Sequence, residues 1–132
     1  MIGPIKDRID ITVTADKTDP DRLIDSKGAG ADYVYTTEAM RNTVLRVRAV
    51  QSRRFMGTDI SYNSEIPPSL INRYCKLGKK EIEFIKEAMN AMDFSARAYH
   101  KILKVARTIA DIEECDTISI DHLSEAICYR GA

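Results

Sequence analysis

From Thr37 onward, apolar residues recur at helical spacing. Met40, Val44, Val47 and Gln51 form one stripe, widened by Leu45 and Val50, which predicts a helix running to about Arg54. Gly57, in Phe55-Met56-Gly57-Thr58-Asp59, supplies its C-terminal stop. Pro67-Pro68 suits a first helical turn and predicts a short helix ending near Tyr74. Three later segments share one start signal, an N-cap residue flanked by an apolar pair one residue before it and four after. Leu77 and Ile82 flank Gly78, Phe94 and Tyr99 flank Ser95, and Ile118 and Leu123 flank Ser119. The stripes that follow are one-sided: Ile82, Ile85, Met89 and Met92; then Tyr99, Ile102, Leu103, Ala106, Ile109 and Ala110; then Leu123, Ala126 and Ile127. Helices with one apolar face each bury it by packing together, so the prediction is all-α, a small helical bundle.

The first 35 residues differ. Ile9-Asp10-Ile11-Thr12-Val13-Thr14 alternates apolar and polar, is rich in β-branched residues, and reads as a strand. No second strand follows, so it reads as a detached strand whose sheet lies elsewhere. Asp19-Pro20-Asp21 and Ser26-Lys27-Gly28-Ala29-Gly30-Ala31 have the composition of a flexible linker. The expected division is 1–35, a poorly ordered remnant of another domain, and 36–132, the helical domain.

Composition narrows the chemistry. Twenty basic residues balance twenty acidic ones, so any preference for nucleic acid or an anionic membrane has to come from a local patch. Cys75, Cys115 and Cys128 are odd in number and form no C-x-x-C, which argues against a disulfide framework or zinc site and for a reducing, cytoplasmic setting. No apolar run approaches membrane-spanning length, and the N-terminus lacks a signal-peptide shape.

No G-x-x-x-x-G-K-[ST] loop, G-x-S-x-G elbow or H-E-x-x-H is present, so the chain reads as no enzyme by itself. His100 and His122 have no carboxylate or cysteine at ligand spacing and read as packed or solvated side chains, with no metal expected. Arg97 follows the N-cap Ser95 by two positions. A cation there opposes the helix dipole unless an anion is near, when arginine and free amides together make a phosphate clamp. Spacing alone slightly favours a solvent-facing arginine at an uncritical site. Arg8 precedes the predicted strand and reads as a projecting charge or as a local ion pair with Asp7 or Asp10. Arg41, Arg46, Arg48, Arg53 and Arg54 lie on one helix with no acid among them. They suit phosphate contacts with DNA or RNA, but a solvated face or one that meets an acidic neighbouring subunit is the preferred reading.

Two stretches carry a family resemblance. Gly3-Pro4-Ile5-Lys6-Asp7-Arg8-Ile9-Asp10-Ile11 resembles the G-P-L-L-D-R-I-D-I segment of magnesium-chelatase-like, competence-related AAA+ ATPases. The run from Phe94-Ser95-Ala96-Arg97-Ala98-Tyr99-His100 through Val105-Ala106-Arg107-Thr108-Ile109-Ala110-Asp111-Ile112 is similar to one characteristic of their C-terminal domain. Arg54-Phe55, Asn63, Tyr74-Cys75 and Glu125-Ala126-Ile127-Cys128-Tyr129-Arg130 fit as well. The resemblance implies a helical lid that closes over ATP and Mg²⁺ held by a core domain. It implies that Arg97 is the sensor-2 arginine on the ATP phosphates, and that Arg8 is an arginine finger reaching a neighbouring subunit of a hexameric ring. Lys6 departs from the family's apolar residue, 26–31 is short and glycine-rich, and the phosphate loop and sensor-1 region are absent from this chain. The lid is the first functional expectation, with the linker near 15–36 as its hinge. A nucleic-acid module on the basic helix is the second, and a bundle serving metal insertion into a porphyrin the third.

Overall fold

The computed structural model describes residues 3–17, 19–24 and 35–131. In chain order its helices are α1 (Gly3–Lys6), α2 (Pro20–Ile24), α3 (Thr37–Arg54), α4 (Ile71–Tyr74), α5 (Lys79–Met92), α6 (Ala96–Ile112) and α7 (Ile120–Gly131). Short 3₁₀ turns at Asn63–Glu65 and Pro68–Leu70 lie between α3 and α4. The fold is all-α, as the stripes predict, and every staple marks a true helix start.

α6 is the hub because its apolar face is the widest. Ala98, Ile102, Leu103, Ala106, Ile109 and Ala110 are all buried. α7 packs along α6 most extensively, while α3 and the turn at 63–65 cover other parts of it. Leu103 is fully buried, which stabilises by about 2 kcal/mol for a side chain of its size. α5 contributes less to the core. Ile85 is buried, but Ile82 and Met92 at the margins of its stripe stay exposed.

The connections explain how short links reverse the chain. Asp93 (φ 51°) and Glu114 (φ 59°) both take the left-handed conformation. The amide of Phe94 reaches back to the carbonyl of Met89 at 3.2 Å, and that of Cys115 to Ala110 at 2.8 Å. These are the six-to-one bonds that close a Schellman motif, here with an acidic residue where glycine is usual, at a cost of about 1 kcal/mol each. Ser95 then starts α6 by accepting from the Ala98 amide at 3.2 Å. Ser119 starts α7 reciprocally: its hydroxyl accepts from the His122 amide at 3.4 Å, and its amide donates to His122 Nδ1 at 3.0 Å. This is a capping box with histidine in the place of glutamate.

A buried polar cluster fastens α3 to α6. Asp111 is 2% exposed and sits between two arginines. Arg54 Nη1 donates to Asp111 Oδ2 at 2.8 Å, and its Nη2 takes the other oxygen. Arg107 Nε donates to Asp111 Oδ1 at 3.2 Å, and its two terminal nitrogens donate to the carbonyls of Asp116 and Cys115. Asn63 donates to Asp111 Oδ2 at 2.9 Å and accepts from Arg54. Gln51 accepts from the Asn63 amide at 3.0 Å. Among the described residues, no buried side-chain nitrogen or oxygen lacks a partner. Burial would raise the Asp111 carboxyl, but the Arg54 and Asn63 hydrogen bonds and the two guanidinium charges outweigh it and hold it below the usual carboxylate range.

Two expectations change. The segment 9–14 is not a strand, and no strand occurs among the described residues. A two-residue period makes a strand only where a partner edge takes its backbone groups. Here the Thr12 amide donates to the Tyr129 carbonyl at 2.7 Å, and the Ile9 carbonyl accepts from Arg130, so α7 replaces the sheet. Within the stretch read as linker, Pro20–Ile24 forms a short helix whose start is fixed by the Asp19 carboxylate accepting from the Asp21 amide at 3.1 Å. The glycine-rich stretch 26–31 lies outside the described residues.

Candidate functional site

The start of α6 is exposed from Ser95 to Arg97. Ser95 satisfies one amide of the first turn, the first turn holds no acidic residue, and Arg97 is exposed on it. A positive helix end and an uncompensated guanidinium thus occupy the same turn, an arrangement that an anion relieves. Among the described residues Arg97 makes no ion pair or side-chain hydrogen bond.

Arg8 is exposed as well. Its amide closes the α1 turn onto the Ile5 carbonyl at 3.0 Å. The local pair suggested by the sequence does not form, because both neighbouring acids are taken by distant cations. Asp7 pairs with Arg130 at 2.9 Å and Asp10 with Lys101 at 2.7 Å. These contacts tie the Arg8 segment to α6 and α7. A cleft of about 300 Å³ has Lys6 and Asp7 on one side and Asp93, Phe94 and Ser95 on the other, with Arg130 in its lining.

The basic helix divides. Arg54 is spent in the Asp111 cluster, and Arg46 pairs with Glu114 at 3.4 Å and donates to the Ile112 carbonyl. Arg41, Arg48 and Arg53 remain exposed, without an acidic partner among the described residues. Arg48 stacks over the Tyr62 ring at 5.5 Å.

The loop before α7 holds a grouping that sequence spacing did not suggest. Glu113, Cys115 and His122 each bring a potential ligand atom to within 4.8 Å of the others. The ring of His122 decides what the grouping does. Its Nδ1 accepts from the Ser119 amide at 3.0 Å, so the ring proton sits on Nε2, 2.8 Å from Glu113 Oε2. Both nitrogens are thereby used, and neither offers a lone pair to a cation. The arrangement ties the α6–α7 loop to the α7 cap. The Ser-x-x-His spacing was its only mark in the sequence. Cys75 is buried, and burial pushes its thiol up to about 11, which keeps it protonated and unreactive at neutral pH.

Sequence reasoning also missed Arg130, Lys101 and the Asp111 cluster. Arg107 and Asp111, a charged pair one turn apart within an apolar stripe, were the legible sign of the cluster. Among the described residues, no helix is long and apolar enough to cross a membrane.

Residues 35–130 match the family described as magnesium chelatase, subunit ChlI C-terminal. The chain is 37% identical over 131 residues to the competence protein ComM of Haemophilus influenzae, covering 99% of this chain and 24% of that protein. It is 31% identical to the uncharacterized protein YifB of Escherichia coli and 32% identical to that of Salmonella typhimurium, with the same coverage. The chain therefore spans about a quarter of the length of the relatives it matches. The matched region takes in the helices α3 to α7 and the α6 start that carries Arg97, and the chain thus belongs to the magnesium-chelatase-like, competence-related family, as its C-terminal domain.

Proposed function

We propose that this chain is the helical lid of an ATP-hydrolysing AAA+ protein, with Arg97 contacting the ATP phosphates and Arg8 acting as an arginine finger. The observation that carries the reading is the α6 start: a capped, exposed first turn with an arginine and no acid. Its residues fit a phosphate, since the amides and the guanidinium all donate and the first turn itself holds no acid, the nearest carboxylates being Asp7 and Asp93 in the adjoining cleft. Mg²⁺, bound with ATP to the core domain, supplies charge neutralisation at the phosphates. Arg97 holds the nucleotide's anionic end against the lid, so the lid's position follows nucleotide state. Arg8 projects from the tied segment toward the adjoining subunit, where it stabilises charge as the γ-phosphate leaves.

The finger is tested by mixing subunits of the full-length protein. Arg8→Ala alone should lower turnover by roughly 10³-fold. Adding subunits that keep Arg8 but carry a disabled phosphate loop should restore part of the activity, because each Arg8→Ala subunit then meets an intact finger. No restoration at any mixing ratio would remove Arg8 from that role.

A second reading draws on Arg41, Arg48 and Arg53, the exposed arginines of α3. If they bind DNA phosphates, affinity should fall with salt with a log–log slope of about −2.7, the value for three contacts. A slope that survives replacing all three by glutamine would exclude α3 as the DNA surface.

A further inference from the structure

The segment carrying Arg8 has little to hold it by apolar burial. Ile5 is 54%, Ile11 53% and Val13 67% exposed, and no strand pairs with it among the described residues. What fixes it is a short set of polar ties to α6 and α7. Arg130 is the centre of that set. Its Nη2 pairs with Asp7 Oδ1 at 2.9 Å, and its Nη1 donates to the Ile9 carbonyl at 3.2 Å. The two partners lie on either side of Arg8. The Arg130 side chain is only 10% exposed, so its charge is largely withdrawn from water and committed to this fork. The Lys101–Asp10 pair and the Thr12 amide on the Tyr129 carbonyl extend the attachment along the segment.

We infer that Arg130 is a positioning residue that locks the Arg8 segment to the last helix of the lid, so that lid movement and finger placement are one motion. The inference rests on the lid reading above. Its physical basis is the planar fork of arginine, which can hold a carboxylate and a carbonyl at fixed spacing, whereas a flexible, single-point cation cannot. With the Asp7 side chain and the Ile9 carbonyl both held, the backbone of Arg8 between them is restrained to follow α7. Lid closure driven by nucleotide at Arg97 would then be passed to Arg8 through α6, α7 and this latch.

Two measurements on Arg130→Gln test it. In the 132-residue chain, amide exchange at Thr12 should accelerate by tenfold or more, while Leu103 and Ala106 in α6 keep their protection. Unchanged exchange at Thr12, or protection lost through α6 as well, would overturn the latch. In the full-length protein, the same substitution should lower kcat for ATP about tenfold with KM unchanged. Added to Arg8→Ala it should cause no further loss, since the two residues act as one unit. A raised KM, or a loss that adds fully to that of Arg8→Ala, would overturn the positioning role. Normal turnover in Arg8→Ala together with faster Thr12 exchange in Arg130→Gln would mean that the latch exists but the finger does not, which separates this inference from the lid reading.

Discussion

Replacing Arg97 with alanine in the full-length protein is expected to lower ATP turnover by about 10²- to 10³-fold, the usual loss when one preorganised donor to developing charge is removed. Folding should be unaffected, for three reasons. Arg97 is exposed and makes no side-chain hydrogen bond among the described residues. The Ser95 cap is independent of it. Alanine is also a better helix former, and removing a cation from the first turn relieves an unfavourable dipole interaction of a few tenths of a kcal/mol or more. The thermal midpoint should therefore stay level or rise while activity collapses. That opposition separates a functional arginine from a structural one. Near-normal turnover in Arg97→Ala would end the sensor-2 assignment. A parallel fall in midpoint and activity would mean that the arginine serves the fold.

The reverse pattern is expected at Asp111. Asp111→Asn keeps the shape but removes the charge that two guanidinium groups share, leaving Arg54 and Arg107 in a buried site without a counter-ion. Breaking such a cluster from one side costs about 3–5 kcal/mol, a large part of the ~5–15 kcal/mol that holds an ordinary domain together. The urea midpoint at pH 7 should drop sharply, with the α3–α6 contact loosening first because the cluster is the buried polar part of that contact.

The pH dependence follows from the direction of the Asp111 shift. Its folded-state carboxyl lies below the ordinary value of 3.8, so its contribution is fully present above that value. The contribution is lost as pH falls through the lower, folded value. Wild type should thus lose stability below about pH 4 more steeply than Asp111→Asn, whose profile there should be flatter. Equal midpoints for the two proteins at pH 7 would show that the cluster contributes nothing net, as is known for some buried ion pairs.

Much of this protein was legible in its residues. The 3.6-residue stripes gave the helices, since an amphipathic run has only one way to bury its apolar face. The staples around Gly78, Ser95 and Ser119 located three helix starts, because capping is a local matter of a few bonds. The Ser95-Ala96-Arg97 start was visible for the same reason. Beyond that reach, local pattern misled. Met40 and Val44 belong to the same stripe as Val47 and Gln51, yet they are 50% and 47% exposed, while the side-chain bonds from α3 to α6 start only at Arg46, Gln51 and Arg54. Ile9–Thr14 alternates as a strand does, but its backbone bonds go to α7.

Charge was the least readable feature. Five arginines on one helix looked alike in the sequence, and the fold spends Arg54 on Asp111 and Arg46 on Glu114 while leaving Arg41, Arg48 and Arg53 at the surface. Asp7 and Asp10 stood beside Arg8 but pair with Arg130 and Lys101. Sequence by itself determined what depends on neighbours within a turn or two: helix identity, caps and the exposed arginine of α6. Tertiary structure alone decided which charge meets which, because ion pairing depends on distance in space, and the partners here lie as far as 123 positions apart.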